Sequence, residues 1–189
     1  MELFDAIQTR RTIGKVTQEP ISREQIEKLL EAAAYAPNHY LTKPWRFYVF
    51  EGEGRKVLGD LYRRHARETS SDPQADHEQL EAQYKKAFRA PVIIGVSVLP
   101  SSQPKVIELE EICSVASAIQ NMLLTAHDLG LGAIWRTGEF AYHDILKEGL
   151  NFKEEERMLG LIYVGHPANE ETAKSKKAAA YEDKVKWYQ

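Results

Sequence analysis

Residues 36–47 read Ala-Pro-Asn-His-Tyr-Leu-Thr-Lys-Pro-Trp-Arg-Phe, and this stretch decides how the chain on either side of it folds. Pro37 disfavours helical backbone at Ala36, so the amphipathic run before it has to stop there. Pro44 stiffens the approach to Trp45–Glu51. There Trp45, Phe47 and Val49 alternate with Arg46, Tyr48 and Phe50, the period of two that marks a strand. Between the prolines lie Asn38, His39, Tyr40, Thr42 and Lys43, a dense set of hydrogen-bonding groups on a loop held at both ends. A polar loop fixed by rigid elements is a common place for a binding site. A plain helix-to-strand connector reads the same way, so the rest of the chain has to decide.

Upstream, Ser22 with Gln25 three residues on forms a capping-box pair, and Ile26, Leu29, Leu30 and Ala33 give the stripe of a helix ending near Ala36. Leu3, Phe4 and Ile7 predict a short helix over 2–9, leading into Arg10-Arg11-Thr12. Downstream, a turn at Gly52-Glu53-Gly54 precedes a helix through Val57, Leu58, Leu61 and Tyr62. Ser70-Ser71-Asp72-Pro73 marks a loop, and Leu80, Tyr84, Ala87 and Phe88 a further helix. Pro91 opens Val92–Val98, an almost unbroken apolar run that predicts a buried strand.

The longest helix is predicted over about 106–129, with Leu109, Ile112, Ala116, Ile119, Leu123 and Ala126 as its stripe. Cys113, Val115, Ala118, Met122 and Leu124 are apolar too, so this helix is central and covered by other elements or by a second chain. Gly130 and Gly132 end it, and Ala133-Ile134-Trp135 is a short strand feeding Arg136-Thr137-Gly138. A helix over 142–150 and a last core strand over 158–164 follow. Residues 168–189 are polar and Lys-rich but end in Trp187 and Tyr188, aromatics that point to packing on another surface such as a partner subunit. Helices and strands thus alternate irregularly along one domain spanning 1–189.

Composition narrows the function. With 25 basic against 28 acidic residues and a net charge of −3, the chain lacks the basic excess that nucleic acid or an acidic membrane would need. The stretch 112–135 is broken by polar residues and predicts no membrane span. The one cysteine, Cys113, excludes an internal disulfide and a cysteine metal cluster, and fits a reducing compartment. The acidic start, Met-Glu-Leu-Phe-Asp, is unlike a signal peptide, so the expectation is a cytoplasmic protein.

No two histidines have the spacing that presents both on one helix face, so no metal site is expected. The chain contains no Gly-x-Ser-x-Gly elbow, no Gly-x-Gly-x-x-Gly and no Walker A sequence. What remains is cationic and polar residues at element ends: Arg10, Arg11 and Thr12; His39 and Lys43; Trp135, Arg136 and Thr137; and Lys174, Lys176 and Lys177. Guanidinium and hydroxyl groups suit a phosphate, and aromatic and cationic side chains suit a polar ring system. Each also has a plainer reading, as helix-end charges or a solvated tail.

Five motifs together carry a resemblance: Thr-Arg-Arg-Thr at 9–12, Ala-Pro-Asn-His at 36–39, Lys-Pro-Trp-Arg-Phe at 43–47, Arg-Ala-Pro at 89–91 and Gly-Ala-Ile-Trp-Arg-Thr-Gly at 132–138. In this order they resemble the nitroreductase family of FMN-dependent oxidoreductases, above all its small NAD(P)H nitroreductases. The resemblance implies an α+β sandwich, a mostly antiparallel sheet flanked by helices, in an intertwined homodimer with FMN at the subunit interface. It implies that Arg10, Arg11 and Thr12 and the segment Trp135, Arg136 and Thr137 face the flavin, with His39 and Lys43 supplied by the other subunit. It assigns no catalytic acid or base. It further implies hydride transfer from NADH or NADPH to FMN and on to a small acceptor such as a nitroaromatic or quinone, with a cation, Arg10 or Lys43, stabilising the reduced flavin.

The chain departs from the family pattern at Gly14, Lys15 and Val16, at Leu41 where many relatives have Asn, and at Lys43 where they have Gln. Lys174–Lys177 match the family's C-terminal phosphate contact only approximately. Two other functions fit the same residues: a flavin-fragmenting or dehalogenating enzyme of this fold, and a binding protein that has lost the cofactor.

Overall fold

A computed structural model describes residues 1–70, 77–169 and 180–189. Helix α1 (Leu3–Thr9) buries only Ala6. Helix α2 (Arg23–Ala34) starts with the anticipated reciprocal cap: the Gln25 N–H donates to the Ser22 hydroxyl at 3.2 Å, and the Ser22 N–H donates to the Gln25 side chain at 3.0 Å. Two amides that the first turn would leave open are thereby satisfied. Tyr35 ends the helix two residues before Pro37. A short 3₁₀ turn, His39–Leu41, leads into strand β1 (Trp45–Glu51). Helices α3 (Arg55–Thr69) and α4 (His77–Tyr84), a 3₁₀ turn at Lys85–Phe88, strand β2 (Val92–Val98) and helix α5 (Glu108–Asp128) follow. The chain continues through β3 (Gly132–Arg136), α6 (Glu139–Tyr142), α7 (Asp144–Gly149) and β4 (Arg157–Gly165). Of the predicted loop at 70–73, residues 71–73 lie outside the described residues.

The strands form one sheet in the order β1-β2-β4-β3, and every neighbouring pair is antiparallel. Helices α2 and α5 cover one face, where Ile26, Leu29, Ile119 and Met122 meet Ile94, Val96 and Ile162. On the other face Leu58, Leu61, Ile145 and Leu146, from α3 and α7, meet Ile93 and Leu161. This is the α+β sandwich expected. Strand β2 is buried along its whole length because both faces are covered, which is why it reads as a continuous apolar run. Strand β1 also serves both cores, with Trp45, Phe47 and Val49 on one side and Tyr48 and Phe50 on the other.

Two details differ from the sequence reading. The buried face of α5 is Val115, Ala118, Ile119, Met122, Leu123 and Ala126; Leu109 is exposed and Ala116 half-buried. So many positions of α5 are apolar that the pattern marks a central helix without fixing its rotation. The helix predicted over 142–150 is two short ones, interrupted at His143, whose extended backbone lets its ring accept from the Ile145 N–H at 3.3 Å. The tail residues Trp187 and Tyr188 are exposed on the single chain. No helix among the described residues is long and apolar enough to cross a membrane.

Helix α5 stops at Gly130, whose φ of 72° a side chain would resist. The Leu131 N–H reaches back to the Ala126 carbonyl at 2.8 Å and the Gly130 N–H to His127 at 3.0 Å, closing the last turn in a Schellman arrangement. That sharp stop sends the chain straight into β3, at one edge of the sheet.

Candidate active site

Arg10, Arg11 and Thr12 follow α1, and the backbone beyond them is stitched to β3 and to the residues just after β4. The Ile13 N–H donates to the Ala133 carbonyl at 3.0 Å, and the Thr17 N–H to His166 at 2.8 Å. This approach needs Gly132, because a Cβ there would lie 2.8 Å from the Ile13 side chain. Helix α1 is held on α5 by Thr9 and His127. The Thr9 hydroxyl donates to the Asp5 carbonyl at 2.6 Å, so the His127 Nε2–H is left to donate to Thr9 at 2.8 Å. Burial, then the charges of Arg10 and Arg11, lower the His127 pKa and keep the ring neutral. The Arg11 guanidinium donates to the carbonyls of Gln8 and Arg10 at 2.7 and 2.9 Å.

Trp135, Arg136 and Thr137 close the same edge. The Trp135 indole N–H donates to the Leu159 carbonyl at 3.1 Å. The ring lies over Gly160 (φ 154°), where a Cβ would collide with the indole and come within 2.8 Å of the Arg136 carbonyl. The Arg136 guanidinium passes beside Gly14 and sits 5.2 Å from the centre of the Tyr163 ring, while its Nε is buried with no hydrogen-bond partner. Thr137 is exposed. The segment that follows Arg10–Thr12 therefore docks on β3, with Ile13 bonded to Ala133 and Gly14 beside the Arg136 guanidinium.

His39 and Lys43 are held elsewhere. The Lys43 N–H donates to Asn38 Oδ1 at 2.9 Å, and the Arg46 guanidinium to the Lys43 carbonyl at 3.1 Å. Tyr40, Leu41 and Lys43 have φ of 55°, 53° and 50°. Left-handed backbone costs a non-glycine residue about 1–2 kcal/mol, so this loop is a strained, fixed shape that displays the side chains of His39, Leu41 and Lys43 to solvent. It precedes β1, at the edge of the sheet opposite β3. Within one chain the two halves of the predicted site thus stand apart. Lys174, Lys176 and Lys177 lie outside the described residues.

A cleft of about 640 Å³ opens beside β3, between residues 135–138 and the helices α3 and α4. Lys86, Arg89 and Arg136 line it, with His65, Phe140 and the paired hydroxyls of Tyr62 and Tyr163, 2.8 Å apart. Burial raises the pKa of both tyrosines, so they stay protonated. Of these residues the sequence points to Arg89 (in its Arg-Ala-Pro motif) and Arg136 through the family motifs, to Tyr62 and Tyr163 as helix and strand positions, and to His65 as one of the histidines without a metal-ligand spacing. The spacing of Lys86 and Arg89 on a helical turn was the available signal. Among the described residues no group of histidine, cysteine and acidic side chains has the arrangement of a metal site.

A sequence profile of the nitroreductase family matches residues 7–166, from α1 to the residue after β4. The chain belongs to the nitroreductase family. Its relatives include the "Putative NAD(P)H nitroreductase YdjA" of Escherichia coli, 30% identical over 167 residues, which cover 88% of this chain and 89% of that one. A nitroreductase-like family protein from Bacillus cereus, solved as a crystal structure, superposes with a TM-score of 0.86 at 22% identity, covering 100% of this chain and 97% of the other. A "putative nitroreductase in complex with FMN" from Desulfovibrio desulfuricans superposes with a TM-score of 0.74 at 26% identity, covering 100% and 98%. The family match spans both halves of the site, the strained loop and the β3 edge.

Proposed function

We propose that this chain is an FMN-dependent NAD(P)H oxidoreductase, which passes a hydride from NADH or NADPH by way of flavin to a nitroaromatic, a quinone or a similar small acceptor. The observation that carries this reading is the docking on β3 of the segment after Arg10–Thr12, where Ile13 bonds Ala133 and Gly14 lies beside Arg136, in a chain of the nitroreductase family. The name of the Escherichia coli relative and the FMN in the Desulfovibrio structure support it. The donor set suits a phosphorylated flavin: two arginines and a hydroxyl at 10–12, and next to Gly14 the Arg136 guanidinium, whose buried Nε has no partner.

Bound FMN would supply the two-electron chemistry that no side chain here can supply. Arg10, Arg11 and Thr12 would hold its phosphate and ribityl chain, and Trp135, Arg136 and Thr137 would border its ring. Trp135, locked to Leu159, fixes that border. His39 and Lys43 would complete the site from a second copy of the chain, in a homodimer with the cofactor at the interface. Two features support the dimer. The loop sits on the sheet edge away from Arg10–Thr12, and Leu3, Phe4, Ile7, Leu41 and Leu109 are all more than half exposed on the single chain. The tail within 168–189, ending in exposed Trp187 and Tyr188, would lie on that second copy, and the whole chain would act as one FMN-binding domain. A single unpaired cysteine fits a cytoplasmic setting.

The test is flavin retention. Wild-type protein is expected to leave gel filtration yellow and to melt at a higher temperature when FMN is added. Arg10→Ala should lose most of its flavin under the same conditions, while its far-ultraviolet circular dichroism stays unchanged. A variant as yellow as the wild type contradicts a phosphate or pyrimidine contact for Arg10.

A further inference from the structure

Helix α1 has little apolar hold on its own chain: it buries only Ala6, and Leu3, Phe4 and Ile7 are more than half exposed. Polar contacts to the end of α5 seat it instead. At one end the Met1 ammonium meets Asp128 at 2.8 Å, and at the other Thr9 meets the His127 ring at 2.8 Å. Because the Thr9 proton goes to the Asp5 carbonyl, Nε2 of His127 carries a hydrogen and donates it. The ring thus grips the residue directly before Arg10 and Arg11. It faces those two arginines beyond α1 and Asp128 on its own helix, and Asp128 is engaged by the Met1 ammonium, which also faces Asp5. Burial, then the charges of Arg10 and Arg11, disfavour the imidazolium. An anion held by the two arginines would cancel their field at the ring and let it take a proton. That proton goes to Nδ1, since Nε2 already bears one, so the bond to Thr9 survives protonation and strengthens.

Resting on the oxidoreductase reading above, we propose that His127 is a positioning residue for the phosphate end of the flavin site: through Thr9 it fixes where Arg10 and Arg11 begin, and its ring takes a proton from water as a phosphate monoester binds. Flavin capture then depends on pH. The affinity that His127 contributes is fully present below the pKa of the ring in the free protein, and it is lost as pH rises through that of the complex.

The experiment titrates flavin-free protein with FMN at about pH 6 and about pH 8, which bracket the charge change of a histidine, and follows flavin fluorescence. His127→Gln keeps a side-chain N–H for Thr9 but cannot titrate, and Thr9→Val removes the hydroxyl at nearly equal volume. The phosphate of FMN itself titrates at about pH 6, so the quantity read is the affinity of wild type relative to His127→Gln. Charge couplings this close to the surface are worth up to about fivefold, and the ratio should rise about threefold from the higher pH to the lower. With riboflavin, which has no phosphate, it should stay flat. Thr9→Val should weaken FMN binding about fivefold at both pH values. A flat ratio with FMN, the same rise with riboflavin, or wild-type affinity in Thr9→Val would each overturn the proposal. Nuclear magnetic resonance of the His127 ring in sodium sulfate, against sodium chloride at equal ionic strength, separates the two levels. A protein that binds no flavin but whose His127 midpoint moves up with sulfate keeps the linkage and loses the oxidoreductase reading. A protein that takes up FMN while that midpoint stays in place keeps the reading and loses the linkage.

Discussion

Glu156 is the clearest case of a single side chain holding polar groups inside this fold. It is 4% exposed and accepts from the Ser97 hydroxyl at 2.5 Å and from the Tyr48 hydroxyl at 2.6 Å. Burial, then the hydrogen bond to Glu156, raises the Tyr48 pKa, so the phenol remains a donor. Glu156→Ala strands both hydroxyls, and urea unfolding should register a loss of about 2–4 kcal/mol. A loss below about 0.5 kcal/mol would mean that Tyr48 and Ser97 find other acceptors. Little of this was legible in the sequence, where Glu156 is one acid in the polar run Lys-Glu-Glu-Glu-Arg. Its partners are 59 and 108 residues away. Residues whose role is local were readable: the Ser22–Gln25 cap and the stop at Pro37 depend on neighbours within a turn.

At the scale of elements, β3 and β4 show how backbone shape sets the position of the site. Pairing between β2 and β4 shifts between Val96 and Ser97, so that Val96 faces Gly160 and Ser97 faces Met158, and Leu159 is the extra residue of a bulge. The carbonyl of Leu159 accepts the Trp135 indole, and the ring fills the space over Gly160. Gly160→Ala must displace that ring or bend the strand. The expected outcome is a loss of at least about 2 kcal/mol in unfolding free energy and a shifted tryptophan emission. Unchanged emission and stability would show that Trp135 is not fixed this way. The strands themselves were legible, because period-two alternation and apolar runs are properties of contiguous residues. The rotation of α5 was not. An all-round apolar helix takes its orientation from what lies on each side of it, and the sequence of α5 alone does not say which side faces the sheet.

At the scale of the molecule, one chain places loop 39–43 before β1 and residues 135–137 after β3, at opposite edges of its sheet. The outward side of α5, with Leu109, Cys113, Ala116 and Leu124, is left open or half-open and is lined by small and apolar residues. Sedimentation should therefore give twice the chain mass. Ala116→Arg should yield monomers with the same circular dichroism and little flavin, whereas a monomeric wild type that retains flavin would contradict a site shared between copies. The candidate site was legible as residues and not as geometry. Motifs name the side chains, but only the tertiary fold shows that the segment after 10–12 docks on β3 while 39–43 precedes the opposite edge strand, and only it brings Lys86 and Arg89 to Arg136.

Flavin held by these residues should be reducible by a nicotinamide. The visible spectrum of the purified protein under anaerobic conditions, before and after NADPH is added, tests this most directly. The expected result is a flavin absorbance that bleaches on mixing and returns when a quinone is supplied. A colourless protein that takes up no FMN, or a bound flavin that both NADPH and NADH leave oxidised, would contradict it.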